Sequence, residues 1–222
     1  MLVLDESPLF RRQLIVALER HPDVEVMAEA ADSETAIRQT AELSPDVVFL
    51  TLRLPSLGGV RTALSLREIA PDLEIALIVG PDDDRELGRA VRAGVTGFVP
   101  WESATARCGN IARKLLQGHP VLTTEAARAV LAEYEREGRN AASSTGALGA
   151  PVLDGRERGV LERLAAGRSL PEAGADLDLT SATAASLARN ALMKLSGHAR
   201  TQAVLHAASA STAADASRST AG

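Results

Sequence analysis

Asp46-Val47-Val48-Phe49-Leu50-Thr51-Leu52-Arg53-Leu54-Pro55-Ser56-Leu57-Gly58-Gly59 opens with a continuous apolar run, Val47 to Leu50. Such a run, without polar alternation, predicts a strand buried on both faces, as inside a parallel sheet. It ends on one polar residue, Thr51, and a Pro and two glycines then turn the chain into a loop. Ligands of open α/β sheets lie beyond the carboxyl ends of the strands. Thr51 therefore stands where a functional side chain is expected.

Outward from this stretch, short apolar runs alternate with segments of helical spacing. Leu2–Leu4, Val24–Val26, Ile75–Val79 and Gly97–Val99 read as further strands. Helices fall between them, with apolar positions such as Phe10, Leu14, Ala17 and Leu18 at i, i+4, i+7 and i+8. The pattern predicts a doubly wound α/β domain with a five-stranded parallel sheet over residues 1–118. Residues 119–151 read as a linker: an amphipathic helix with the stripe Ala127, Val130, Leu131 and Tyr134, then a flexible stretch from Gly138 to Gly149. Residues 152–207 are helical in pattern throughout, with Ser181–Leu195 and Thr201–Ala207 as separate helices and Thr180 as an N-cap. The Ala/Ser/Thr-rich residues 208–222 lack large apolar side chains and are expected to be disordered.

Composition narrows the function. The five aromatic residues, Phe10, Phe49, Phe98, Trp101 and Tyr134, are too few for a platform that stacks bases. Apolar runs are too short to cross a membrane, and Asp5 and Glu6 interrupt the start too early for a signal peptide. The single Cys108 forms no internal disulfide, so a cytoplasmic protein is expected. The net charge of −5 lies in the first 118 residues, with 13 basic against 18 acidic groups. Residues 152–206 carry seven basic against six acidic groups, a small electrostatic footprint for nucleic acid.

The stretches LDESPLFRRQL, PDVVFLTLRLPSLGGV, RAVRAGVTGFV, RERGVLERLAAGRS, LTSATAASLARNALMKL and RTQAVLHAA, in this order, resemble the two-domain response regulators of the NarL/FixJ type. The resemblance implies a flavodoxin-like receiver followed by a LuxR-type helix-turn-helix that binds DNA, with a homodimer as the working form. It also implies a set of receiver parts that this chain only partly keeps. Asp5 and Glu6 match the acids that help to hold Mg²⁺, and they are the only metal-site candidates. Thr51 stands at the phosphoryl-accepting Asp, Val79 at a hydroxyl residue, and Trp101 at the Lys that pairs with the phosphoryl group. Phe98 matches the switch aromatic. An acyl phosphate needs a carboxylate nucleophile, and its charge needs a neutralising cation. The expectation is a degenerate receiver, phosphorylation-independent, without a cofactor, open to a small molecule or protein partner beside Trp101.

In the second domain the resemblance places Ser181–Leu195 in the major groove. Thr180, Ser181 and Thr183 are then expected at the DNA backbone, Ala184 and Ala185 at base edges, and Arg189, Asn190 and Lys194 at phosphates or bases. Alanines offer bases no hydrogen bonds, so weak, phosphate-dominated binding is expected. The alternative is an interaction-only protein that pairs with another regulator or a kinase and does not read DNA. No nucleophile–base pair appears, so an enzyme is not expected.

Overall fold

The structure, a computed structural model, describes residues 1–55, 57–143 and 149–219, with side chains of the last helix described through Val204. Strand β3 (Val47–Thr51) forms the centre of a five-stranded parallel sheet. Its companions are β1 (Leu2–Leu4), β2 (Ala28–Ala30), β4 (Glu74–Val79) and β5 (Gly97–Pro100), in the order β2-β1-β3-β4-β5. Register runs from Val47 opposite Glu74 to Thr51 opposite Ile78. Every residue of β3 is buried, because alternate side chains feed two different cores. Val48 and Leu50 join Leu2, Leu4, Ile75 and Leu77 on one face; Val47 and Phe49 join Val3, Ala76 and Ile78 on the other.

Helices α1 (Pro8–Leu18) and α5 (Ala104–Leu116) cover the Phe49 face. Helices α2 (Ser33–Leu43), α3 (Gly59–Ile69) and α4 (Asp84–Arg92) cover the other. This is the flavodoxin-like arrangement, and it brings the ends of β1 and β3 to the switch point of the sheet. The loop after β3 is held tightly there. Gly58 takes a left-handed φ of 74°, and a Cβ at Gly59 would lie 2.5 Å from the Thr51 carbonyl oxygen. Only glycine lets α3 start so close to the strand end.

The chain continues into α6 (Thr124–Ser143), α7 (Gly155–Ala165), α8 (Leu170–Ala175) and α9 (Ser181–Ser219). Helices α7 and α8 open with capping boxes, Asp154 with Glu157 and Ser169 with Glu172. The Ser169 amide and hydroxyl hold the Glu172 carboxylate below its usual range. Thr180 caps α9 as expected, its hydroxyl accepting from the Thr183 amide at 3.1 Å.

Several expectations are corrected. The second strand is Ala28–Ala30, not Val24–Val26; the Met27 amide donates to the Met1 carbonyl, and ladder pairing begins one residue later. The amphipathic face of α6, with Ala127, Val130 and Tyr134, turns inward. It is buried, because α6 packs on α4 of the first domain and α7 of the second. Helix α6 runs to Ser143, so 138–143 is helical and not linker; residues 144–148 lie outside the described residues. Ser181–Leu195 and Thr201–Ala207 form one helix through Gly197, which the run tolerates at a cost of about 1 kcal/mol. The same helix continues to Ser219 where disorder was expected from 208, consistent with the high helix propensity of its alanines. Residues 220–222 lie outside the described residues. The two domains share one core: Leu87, Ala90 and Val91 of α4 belong with Val130, Tyr134, Leu161 and Leu192 to a single cluster.

Candidate functional site

A pocket of about 320 Å³ opens at the carboxyl ends of β1, β3 and β4, and Asp5, Glu6, Thr51 and Trp101 all line it. Four of the residues singled out from the sequence thus meet in space. Asp5 is buried, its Oδ1 accepting from the Ser7 amide at 2.7 Å, while Glu6 is exposed. Thr51 is 4% exposed, and its Oγ1 is buried without a hydrogen-bond partner. Trp101 follows β5 in a 3-10 turn and stacks on Phe10, ring centroids 3.8 Å apart at 18°.

One residue that the resemblance placed here, Val79, does not line this pocket. Val79 is a core residue, and its neighbours Ile78 and Gly80 line the pocket instead. Phe98 is fully buried in the core shared by both domains. Asp83 is a member the sequence reading missed, since residues 82–84 read as a solvated, helix-starting run. Instead Asp83 is buried: Oδ2 accepts from the Gly80 amide at 2.7 Å, and Oδ1 from Arg53 Nε at 3.1 Å. Only the Gly80-Pro81 turn before it hinted that one acid of the three would fold back.

Among the described residues no three His, Cys, Asp or Glu converge on a metal position.

The second candidate surface is the start of α9. Thr180, Ser181, Ala182 and Thr183 are exposed, as are Ser186, Asn190 and Met193 further along. Ala184 and Ala185 correct the expectation that they face bases: both are fully buried. With Ala188, Ala191, Leu192 and Leu195 they form the inward stripe of the helix, at spacings of three and four. Their small size lets α9 lie close on α8.

Arg189 and Lys194 are also engaged, where the sequence reading left them available. Lys194 Nζ donates to both carboxylate oxygens of Glu157 at 2.7 Å. Arg189 reaches out of its domain. Its guanidinium pairs with Glu74 at the start of β4 and donates to the Gly118 carbonyl at 3.4 Å. Glu74 is buried and also accepts from the Thr96 hydroxyl. Nearby, the Tyr134 hydroxyl donates to the Ala191 carbonyl at 2.7 Å, and burial pushes the phenol pKa up. The first domain thus holds the middle of α9 by an ion pair and a shared apolar core.

Known proteins agree with this architecture. Residues 1–108 match the response regulator receiver domain, and residues 151–207 match the luxR family of bacterial regulatory proteins. The transcriptional regulatory protein LiaR of Bacillus subtilis is 30% identical over 207 residues, 93% of this chain and 95% of its own length. The response regulator protein VraR of Staphylococcus aureus is 26% identical over the same share of this chain and 95% of its own. Among solved structures, a LuxR-family two-component response regulator from Aurantimonas aligns with TM-score 0.54 and 27% identity. That alignment covers 60% of this chain and 94% of the other. The RcsB response regulator of Salmonella typhimurium shares the fold over 87% of this chain and 91% of its own, with TM-score 0.53 and 20% identity. Among the described residues no helix is long and apolar enough to cross a membrane. The chain belongs to the bacterial response regulators that join a receiver to a LuxR-type DNA-binding domain, a family of transcriptional regulators and not of enzymes.

Proposed function

We propose that this regulator works without phosphoryl transfer, its receiver acting on the DNA-binding domain as a ligand- or partner-responsive clamp. Thr51 at the end of β3 carries this reading. A hydroxyl there cannot form the acyl phosphate that a carboxylate forms. The neighbouring Trp101 supplies no positive charge to a phosphoryl group, and among the described residues no three acids gather at one metal position. The regulatory contact left to the receiver is its hold on α9 through Glu74 and the shared core.

Acetyl phosphate is expected to leave residues 1–118 unmodified. Intact-mass measurement after incubation checks this, and an acid-stable, hydroxylamine-labile phosphoryl adduct on that segment contradicts it.

The working form is a homodimer. With the α6 stripe buried within the chain, a second copy must use another face. Helices α1 and α5 pack side by side and leave Leu9, Val16 and Leu116 exposed, which offers one. Light scattering at about tens of micromolar, on the order of the affinities of transient pairs, should shift the mass from the 23.2 kDa of one chain toward twice that value. A monomer at that concentration rules the dimer out.

The interaction-only reading drew its support from alanines at the base-reading positions. With Ala184 and Ala185 turned inward, the outward groups are hydroxyls and an amide, from Ser181, Thr183, Ser186 and Asn190. These can reach bases and phosphates, and they favour the DNA-binding reading.

A further inference from the structure

Positive charge is scarce in the DNA-binding domain. Residues 152–206 carry seven basic against six acidic groups, and two of the cations, Arg189 and Lys194, are tied to Glu74 and Glu157. Further cations stand across the domain boundary. A cleft of about 140 Å³ lies between the receiver and the turn joining α7 to α8, lined by Arg107 and Lys114 of α5 and by Arg168 of the turn. None of its described lining residues is acidic; the rest of the wall is Ser169 and apolar side chains such as Leu122, Leu164 and Leu170. Arg107 and Lys114 are seven residues apart, two turns of α5, and so share one face. Both are exposed, and among the described residues neither pairs with a carboxylate. Arg168 reaches only Asp176, at 3.6 Å on the surface, a pair of little energy. The wider cleft beside this one adds Glu125 and Glu172, but Glu172 is already engaged by the Ser169 amide and hydroxyl.

Three cations gathered across a boundary repel one another unless an anion joins them. All three are exposed, which suits an anion that stays half in water more than one enclosed in a pocket. Their place in the fold says which anion that is. In a helix-turn-helix the first helix crosses the DNA backbone while the second enters the major groove. Here α8 is the first helix, and α9 begins the second with Thr180, Ser181 and Thr183 exposed. Leu170 and Pro171, which open α8, line the cleft, so a backbone crossing α8 passes its mouth. We propose that Arg107 and Lys114 carry the phosphate contacts of the DNA-binding domain onto the receiver, which then touches DNA directly. This rests on the DNA-binding reading. Leu116, two residues beyond Lys114, falls on the other flank of α5, so the dimer face stays free.

The full-length parent and the double variant Arg107→Gln/Lys114→Gln are titrated into two labelled duplexes, DNA from upstream of the protein's own gene and an unrelated sequence of equal length. The variant should bind both more weakly in low salt, since phosphate contacts carry no sequence information. Losing two contacts should flatten the dependence of log affinity on log salt by about 1.8, so that from 50 to 200 mM the parent loses about 12-fold more affinity than the variant. Its melting temperature should match the parent's, because both side chains are exposed. Arg38→Gln/Arg61→Gln, an equal loss of charge on α2 and α3, should keep the parent slope. Equal slopes for the parent and the α5 variant, or equal flattening by the α2–α3 control, overturns the contact. Inorganic phosphate raising the melting temperature of the parent alone, with equal DNA slopes, assigns the cleft to a free anion and overturns it as well. Failure of the parent to bind either duplex overturns the DNA-binding reading itself, so the two failures are told apart.

Discussion

Glu157→Ala is expected to destabilise the carboxyl-terminal domain by about 3 kcal/mol. Glu157 is 2% exposed and does two jobs with one carboxylate. Its Oε2 accepts the Asp154 amide at 2.9 Å, completing the cap of α7. Both its oxygens accept from Lys194 at 2.7 Å, which ties α9 to that cap. Alanine frees a helix-end amide and leaves the Lys194 ammonium with only the Val152 carbonyl at 3.4 Å. Lys194 is 42% exposed on its side chain and can rehydrate, so the loss falls at the lower end of the range for broken buried pairs. Urea unfolding followed by helical circular dichroism measures it. Glu157→Gln, which keeps an acceptor for Asp154 without the charge, should fall between alanine and the parent. A loss below about 0.5 kcal/mol, typical of surface positions, would mean the pair contributes little.

How far the sequence could be read depended on which residues carried the signal. β3 was legible because the apolar run Val47–Leu50 is strand-length, rich in Val and Phe, and closed by a Pro- and Gly-bearing loop. β2 was not: Ala-Glu-Ala has little strand propensity, and the more strand-like Val24-Glu25-Val26 drew the assignment upstream. Asp5, Glu6, Thr51 and Trp101 could be grouped beforehand because parallel strands bring their carboxyl ends together. Asp83 could not be told from Asp82 and Asp84, since three identical neighbours differ only in where the turn points them. Ala184 and Ala185 were misplaced by analogy, although the alanine and leucine spacing from 184 to 195 already drew an inward stripe. The Arg189–Glu74 pair joins residues 115 apart through the packing of two domains, which no local pattern encodes.

That pair carries the second large expectation. Glu74→Gln should raise DNA affinity about tenfold, within the usual range of coupling between sites. Glutamine still accepts from the Thr96 hydroxyl, so the receiver keeps its fold, but the attraction for the Arg189 guanidinium is lost. Arg189 is 29% exposed on its side chain and gains water at once when released. In the parent, binding a phosphate through Arg189 first requires breaking an ion pair with a buried carboxylate. In the variant the same contact forms without that cost. One added phosphate contact should also steepen the dependence of log affinity on log salt by about 0.9. Arg189→Ala should show neither effect, because it removes the clamp and the contact together.

Fluorescence anisotropy of labelled DNA from upstream of the protein's own gene, titrated with the parent and with Glu74→Gln, each with and without acetyl phosphate, brings both parts of the account to one readout. Glu74→Gln is expected to bind about tenfold more tightly and with a steeper salt dependence, and acetyl phosphate to move neither curve. Tighter binding by the parent after acetyl phosphate, with Glu74→Gln binding no better than the untreated parent, would contradict it.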